Sequence, residues 1–400
     1  MGRRRRPPGT PTVVFVDDGK WNAFHQLAPG LRRGGVRTVR ASTEGLRRTR
    51  VSSRLLFDRY AVLPHDPRPD ALTEILAGEN VVDIQFTESL AELVGECTDQ
   101  LRPRVAEQLV RRLAMVDKVV ASKLFTQAGV RTPAMIPVAE ITAEEAVEKF
   151  GLPIVVKGSI GFGGEGVAIA HELDDLVEAI ADDGDGPGCQ FFEQFVVGEK
   201  LDYAAAVGPT GIEQELAYRI VRWNQPVGRA TEVETIDDPQ LVAFGRKVLE
   251  VVGCTGLANM DVIRDGQGLD WLIDFNPRAF GGSGCFRAAG IDTTEGYLRS
   301  IGEHSTPIGR MTPAVGIHIE VFPTCLEDVI ESRSITRTAA AFMRKSFPYL
   351  RWMGWRYWLS EAFFTADTLR IVRKEAKARS AAAVAPSTTA ATAIPEVPTR

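Results

Sequence analysis

The chain has 400 residues, enough to bury a sizeable core in two or three linked lobes. Its 44% hydrophobic and 25% charged residues are those of an ordinary globular protein, which excludes bulk disorder and a membrane-embedded body. The formal net charge of -5 is too mild to indicate nucleic acid or another strongly charged partner, although the first fifty residues and the stretch after Arg344 are basic and the middle is acidic.

In chain order, Arg3-Arg4-Arg5-Arg6 opens a stretch, residues 1–11, with the composition of a disordered basic arm. Val13-Val14-Phe15-Val16 has the pattern of a buried strand and stops at Asp17-Asp18, too short for the apolar part of an export signal. Val36–Val39 is a second strand candidate, and Leu101, Val105, Leu109 and Leu113 recur at helical spacing. Residues 12–115 therefore alternate strands and helices, as expected of a small α/β lobe with a partly parallel sheet. No complete GxGxxG follows the first strand, so nothing there marks a dinucleotide site. A helix is predicted from Asp117, with Val120, Leu124 and Phe125 along one side, Gly129 closing it and Thr132-Pro133 ending it.

Ile154–Val156 then forms a strand that enters a glycine-rich loop. A helix capped by Asp174 or Asp175 runs to Ile180, Asp182–Gly188 is a polar loop, and Cys189–Val197 is a strand. A hairpin turns at Gly208–Gly211, Pro239–Val252 is an amphipathic helix, and Leu257–Ile263 with Leu269–Phe275 forms a second hairpin. Residues 342–377 mix Phe347, Tyr349, Trp352, Trp355, Tyr357, Trp358, Phe363 and Phe364 with arginines and lysines. Such a segment suits a membrane surface, a partner subunit, or a helix that packs back on its own body. After Ser380 the composition narrows to Ala, Thr and Pro, the mark of a disordered tail. Cys97, Cys189, Cys254, Cys285 and Cys325 are scattered without CxxC or CxxxH spacing, which points to a reducing, cytoplasmic setting rather than a disulfide framework or zinc site. No stretch approaches the roughly 18–20 apolar residues that span a bilayer.

The first chemical feature is the loop between Lys157 and Val167. Gly161, Gly163, Gly164 and Gly166 fill four of the six positions from 161 to 166. Glycine frees the backbone for φ > 0 and lets N–H groups point at an anion. Lys157, at the strand end, adds a positive charge. Val167-Ala168-Ile169-Ala170 continues as a strand, where a P-loop would continue as a helix. The expected geometry is a strand–loop–strand flap, which suits phosphates as well as it suits an ordinary hairpin.

The second feature is the hairpin Asn259–Ile263 and Trp271–Asn276. With the turn centred on Gln267-Gly268, Asp261 faces Asp274 and their Cβ atoms stand about 5 Å apart. Asn276, two residues on, projects from the same face. Flanking Met260, Val262, Leu272 and Phe275 make this a mostly buried pair, and facing carboxylates there repel unless a cation sits between them. Two carboxylates and an amide oxygen suit a hard cation such as Mg²⁺ or Mn²⁺. Arg278 follows, able to fork onto a carboxylate or phosphate.

In this order the motifs resemble the ATP-grasp superfamily, over roughly Asp117 to Ser283. The resemblance implies an α/β, α+β architecture: an N-terminal lobe at 12–115, an ATP-grasp domain at 116–325 whose two subdomains clasp ATP, a C-terminal helical extension at 326–380 and a tail at 381–400. By the same resemblance Lys118 and Lys157 contact ATP phosphates, the glycine loop covers them, and Glu193, Gln194, Phe195 and Val196 meet the adenine. Asp261, Asp274 and Asn276 fall on metal-ligand positions, and Arg278 holds the transferred phosphate. Asp274 stands where glutamate is common, and Lys200 where a ribose-binding acid is expected, which leaves Glu199 or Asp202 for that role. The implied activity is carboxylate activation as an acyl phosphate and transfer to an amine. A phosphotransferase, a carboxylase-type subunit and a non-catalytic nucleotide-binding module are the alternatives. Arg219, Arg222 and Arg287 are candidates for a substrate carboxylate, and homodimerisation is left open.

Overall fold

The computed structural model describes residues 7, 9–19, 23–43, 47–161, 163, 164, 166–181, 188–223, 228–303, 311–326, 340, 344 and 351–362. Residues 182–187 of the expected polar loop, most of the predicted basic arm and C-terminal extension, and the tail at 381–400 lie outside the described residues.

The first lobe alternates β1 (Pro11–Asp17), α1 (Ala23–Arg33), β2 (Arg37–Ser42), α2 (Arg47–Leu56), β3 (Arg59–Val62), α3 (Pro69–Leu76) and β4 (Asn80–Phe86), followed by α4 (Ala91–Gly95) and α5 (Pro103–Leu113). Its sheet is parallel, in the order β3-β2-β1-β4. The unbroken apolar run of β1 is explained by helices on both faces. Val13 and Phe15 enter one core, Val14 and Val16 another.

A four-stranded antiparallel sheet follows, β5-β8-β6-β7. It is built from α6 (Lys118–Gln127), β5 (Met135–Pro137), α7 (Ala143–Phe150), β6 (Ile154–Gly158), β7 (Ala168–Ala170), α8 (Leu173–Ala181) and β8 (Gln190–Gln194). Helices α7 and α8 cover one face through Ala146, Ile154, Val156, Leu176 and Phe192. Two details differ from expectation. Asp174 and Asp175 lie inside the first turn of α8, and Asp175 reaches back to accept from the backbone N–H of His171 and Glu172 at 3.1 and 3.2 Å. Strand β8 stops at Gln194, because residues 195–197 leave the sheet to enter the next one.

The largest sheet has six strands in the order β13-β12-β9-β10-β11-β14. Its elements are β9 (Gly198–Gly208), β10 (Gly211–Trp223), β11 (Ala230–Thr235), α9 (Pro239–Val252), β12 (Gly256–Asp265), β13 (Asp270–Asn276), a 3₁₀ segment at Ser283–Ala289, α10 (Thr293–Ser300) and β14 (His318–Glu320). Strand alternation divides its side chains cleanly. Leu201, Tyr203, Ala205, Met260 and Val262 pack on α6 and α9. Ala204, Ala206, Leu216 and Tyr218 face the other way, into the core that also holds Phe24, Leu27 and Tyr297 of α1 and α10. This second face, continued along β9 and β12, carries the polar residues described below.

Of the aromatic C-terminal segment, residues 351–362 are described and pack on this same core. Met353 and Tyr357 are buried in it, and Glu361 reaches His25 of α1 at 2.9 Å. Among the described residues no helix is long and apolar enough to cross a membrane.

Candidate active site

A cavity of about 660 Å³ lies between the two antiparallel sheets. The smaller sheet lends it Val155, Lys157, Ile169 and Glu193, the larger one Asp202, Tyr218, Asp261, Asp274 and Asn276, and Phe195–Gly198 close one end where the chain crosses between sheets. Gly198 is required at that crossing, since a Cβ there would stand 2.0 Å from the Arg264 carbonyl oxygen.

The carboxylates are set by register. Asp261 pairs with Asp274 across β12 and β13, and Asn276 lies opposite Asn259. The route differs slightly from the expectation. The turn is one step earlier in register and a bulge at Ile273 restores the facing pair. On its other side Asp261 pairs with Asp202 of β9, so three carboxylates stand in a row across adjacent strands. Burial, and then Asp274, push the Asp261 carboxyl up to about 7. Burial, and then Asp261, push Asp202 well above the usual carboxylate range. Asp202 is held by hydrogen bonds from the Tyr218 hydroxyl and Asn259, and Asn259 Nδ2 also donates to Tyr218 at 3.0 Å.

The cations approach from three elements. Asp117 caps α6 by accepting from Val119 and Val120 N–H at 2.9 and 3.0 Å, and it takes a third bond from Ser159 Oγ at 3.1 Å. That cap fixes its neighbour Lys118, whose Nζ donates to the Gly161 carbonyl at 2.7 Å and stands 3.9 Å from Asp274. Lys157, on β6, donates to Glu193 of β8 at 2.5 Å. Burial raises the Glu193 carboxyl while Lys157 lowers it. Arg278 is buried, with Nε on Glu88 at 2.6 Å and a second nitrogen on Asn276 Oδ1 at 2.9 Å. Asn276 in turn donates to Asp274 at 3.3 Å.

The glycine loop is a flap, as its flanking strands pair antiparallel. Gly163, Gly164 and Gly166 have φ of 65°, 83° and 67°, a region that favours glycine. Gly161, Gly163 and Gly164 line the cavity and Gly166 does not. Of the adenine candidates, Glu193, Phe195 and Val196 line it, whereas Gln194, on the opposite face of β8 from Glu193, does not. Glu199 also stands apart, half exposed and 3.5 Å from Arg219, whereas Asp202 lines the cavity. The remaining arginine candidates lie outside. Arg219 pairs with Glu199 and Glu234, Arg222 with Glu232 and Glu320, and Arg287 stacks on Trp352 at 3.7 Å and pairs with Asp292.

Among the described residues no group of three or more His, Cys, Asp or Glu side chains holds metal-binding geometry. The donor set is smaller: two facing carboxylates and an amide oxygen that already accepts from Arg278 and keeps a second lone pair. This fits Mg²⁺, which takes a few protein oxygens and completes its shell with water and phosphate.

The family model of the ATP-grasp domain matches residues 115–282, the segment that carries these cations and carboxylates. Residues 115–282 are an ATP-grasp domain. The chain's sequence is 25% identical over 209 residues to N5-carboxyaminoimidazole ribonucleotide synthase of Synechococcus elongatus, covering 49% of this chain and 50% of that one. It is 27% identical over 175 residues to D-alanine–D-alanine ligase of Chromohalobacter salexigens, covering 40% and 54%. The chain thus spans about half the length of these curated relatives. The ATP-grasp fold extends further than the sequence likeness. The solved structure of N5-carboxyaminoimidazole synthetase from Staphylococcus aureus complexed with ADP superposes with a TM-score of 0.61 at 14% identity, over 76% of this chain and 79% of that one. Biotin carboxylase from Campylobacter jejuni gives 0.57 at 15%, over 76% and 74%.

Two residues of this cavity, and one beside it, have contacts that the sequence did not indicate. Asp202 is read there only as a ribose candidate, Glu193 only as an adenine contact, and Glu88, which holds Arg278 from outside the cavity, not at all. No local pattern marks Glu88, whose partner Arg278 is 190 residues away.

Proposed function

We propose that the chain is an ATP-dependent ligase that joins a carboxylate to an amine through an acyl phosphate. The observation that carries this reading is the facing Asp261–Asp274 pair with Lys118, Lys157 and Arg278 around one cavity. A carboxylate oxygen of the substrate attacks the γ-phosphorus of ATP, the bond to the bridging oxygen breaks, and ADP leaves. The amine nitrogen then attacks the acyl carbon, inorganic phosphate departs, and the nitrogen loses a proton to solvent. The step requires two anions to meet, so the protein's task is to offset their repulsion. Lys118 and Lys157 would neutralise the nucleotide phosphates. Arg278, held by Glu88, Asn276 and the Ala279 carbonyl, would bring its positive charge to the transferred phosphoryl group. Asp261, Asp274 and Asn276 would hold Mg²⁺, which supplies charge neutralisation at the phosphate oxygens. The glycine flap shields the acyl phosphate from water. The ligase and synthase names of the matched relatives support the carbon–nitrogen class.

The test measures magnesium-dependent ADP release over pooled carboxylic acids, with hydroxylamine as a generic amine that traps an acyl phosphate as its hydroxamate. Acid-dependent ADP release with hydroxamate formation is expected, reduced at least ~100-fold in Asp274→Asn. Release that needs no acid, or phosphate passed to an alcohol without hydroxamate, would sink the reading.

A further inference from the structure

The cavity continues past the carboxylate row, and its chemistry changes there. Tyr218 lies two strands from Asp261, in the same row across β9, about 10 Å away. From Tyr218 onward the floor is Ile220 of β10 and Val233 of β11, which pair directly with each other. Phe280, Phe286 and Phe322 also line this half; the Phe286 ring lies 5.0 Å from Tyr218 and 6.1 Å from Phe280. Two polar side chains in this half are already bonded. Tyr218 is bonded to Asn259 and Asp202, and Thr324 Oγ1 donates to backbone carbonyls at 2.7 and 2.8 Å.

Charge is sparser in this half than at the carboxylate row. Lys118, Lys157 and Arg278 gather at the carboxylate row. Two cations border this half: Arg229 lies by the flap, where a side chain at Gly163 would meet its stem at 3.7 Å, and Lys200, next to Leu201 in register and so beside Ile220, holds its ammonium over the Trp223 ring at 4.4 Å. Among the described residues, β11 and residues 321–324 add no charged side chain to the cavity wall, and neither do residues 280–286. A phosphorylated or sugar-bearing substrate would leave its anions and hydroxyls unpaired against these rings. An apolar body would fill them.

We propose that the carboxylate activated at this site carries an apolar side chain of branched-aliphatic or aromatic size, seated against Tyr218, Ile220, Val233, Phe280, Phe286 and Phe322. This rests on the ligase reading above and specifies its substrate. The carboxylate head lies toward Asp261 and Arg278, and the side chain enters the apolar half.

The hydroxylamine assay decides this when run over matched acids: phenylalanine, leucine and phenylacetate against glycine, serine, aspartate, bicarbonate and a 5-phosphoribosyl carboxylate. Hydroxamate formation is expected to favour the apolar set by at least tenfold in kcat/KM. Ile220→Gln should raise the KM of the preferred acid about tenfold with little change in the KM for ATP. Calorimetric titration of the same acids into wild-type protein with magnesium and ADP gives a readout that needs neither turnover nor the variant. Preference for the small, polar or phosphorylated acids, in either measurement, overturns the substrate assignment while leaving the ligase reading intact. Magnesium–ADP binding with no hydroxamate from any acid overturns the ligase reading itself.

Discussion

Asp261 shows how a single residue carries both the cost and the purpose of the site. Its carboxyl is pushed up to about 7 by burial and by Asp274. Between the ordinary carboxylate range and pH 7 the folded protein therefore keeps a proton that the unfolded chain has released. Stability falls as pH rises through that interval, because the folded state is the one binding more protons. Asp261→Asn removes the ionisation. In metal-free protein the variant should melt higher than wild type at pH 8, by on the order of a few kcal/mol in stability, and the gap should shrink toward pH 4. Added magnesium should narrow the gap at pH 8 by stabilising wild type alone. A variant that melts lower than wild type at pH 8 would mean that Asp261 is structural rather than held ready for a cation. This pair was legible in the sequence because a hairpin sets its register within a few residues. Asp202 was not legible in the same role, since its place beside Asp261 depends on which strands become neighbours in the sheet.

At the scale of elements, the flap and its anchor are separable. Gly166 has φ of 67° and open space where a Cβ would go, so alanine there meets backbone strain and no clash. That strain costs roughly 1 kcal/mol and falls on the loop alone. Gly166→Ala should raise the KM for ATP several-fold while moving the melting temperature by no more than about 2 °C, as read by steady-state kinetics and thermal unfolding of one preparation. A large loss of stability with an unchanged KM would show that the loop braces the fold instead of covering phosphates. The flap was readable from the glycine spacing and the apolar strands beside it. The end of β8 was not, because Phe195, Val196 and Val197 look like strand residues yet form the crossing between sheets. Apolar side chains that line a ligand cavity carry the same periodic signature as side chains that line a core.

At the scale of the molecule, one core joins segments that are far apart in sequence. Phe24 of α1, Tyr218 of β10, Tyr297 of α10 and Tyr357 near the C-terminal end share it. The aromatic run around Trp352–Trp358 was legible as a surface-seeking or inward-packing segment, and periodicity alone could not choose between them; in the structure Met353, Tyr357, Ser360 and Glu361 turn inward while Trp355 stays exposed. What ties them down is a buried polar chain. Glu361 meets His25 Nδ1 at 2.9 Å, His25 Nε2 meets Arg40 at 3.0 Å, and Arg40 makes two bonds of 2.8 Å to Asp17, all of these side chains being essentially unexposed. Removing Glu361 takes one of the two ring-nitrogen partners from the buried His25, a loss of about 3 kcal/mol. Glu361→Ala should therefore lower the single unfolding transition by about 5 °C, with the tryptophan fluorescence and far-ultraviolet signals falling together. Magnesium–ADP affinity should stay near wild type at temperatures where the variant is folded, because none of Glu361, His25, Arg40 and Asp17 lines the nucleotide cavity. An early fluorescence transition that leaves the far-ultraviolet signal intact would instead mark residues 351–362 as a detachable strap, and the shared core would have to be redrawn without them.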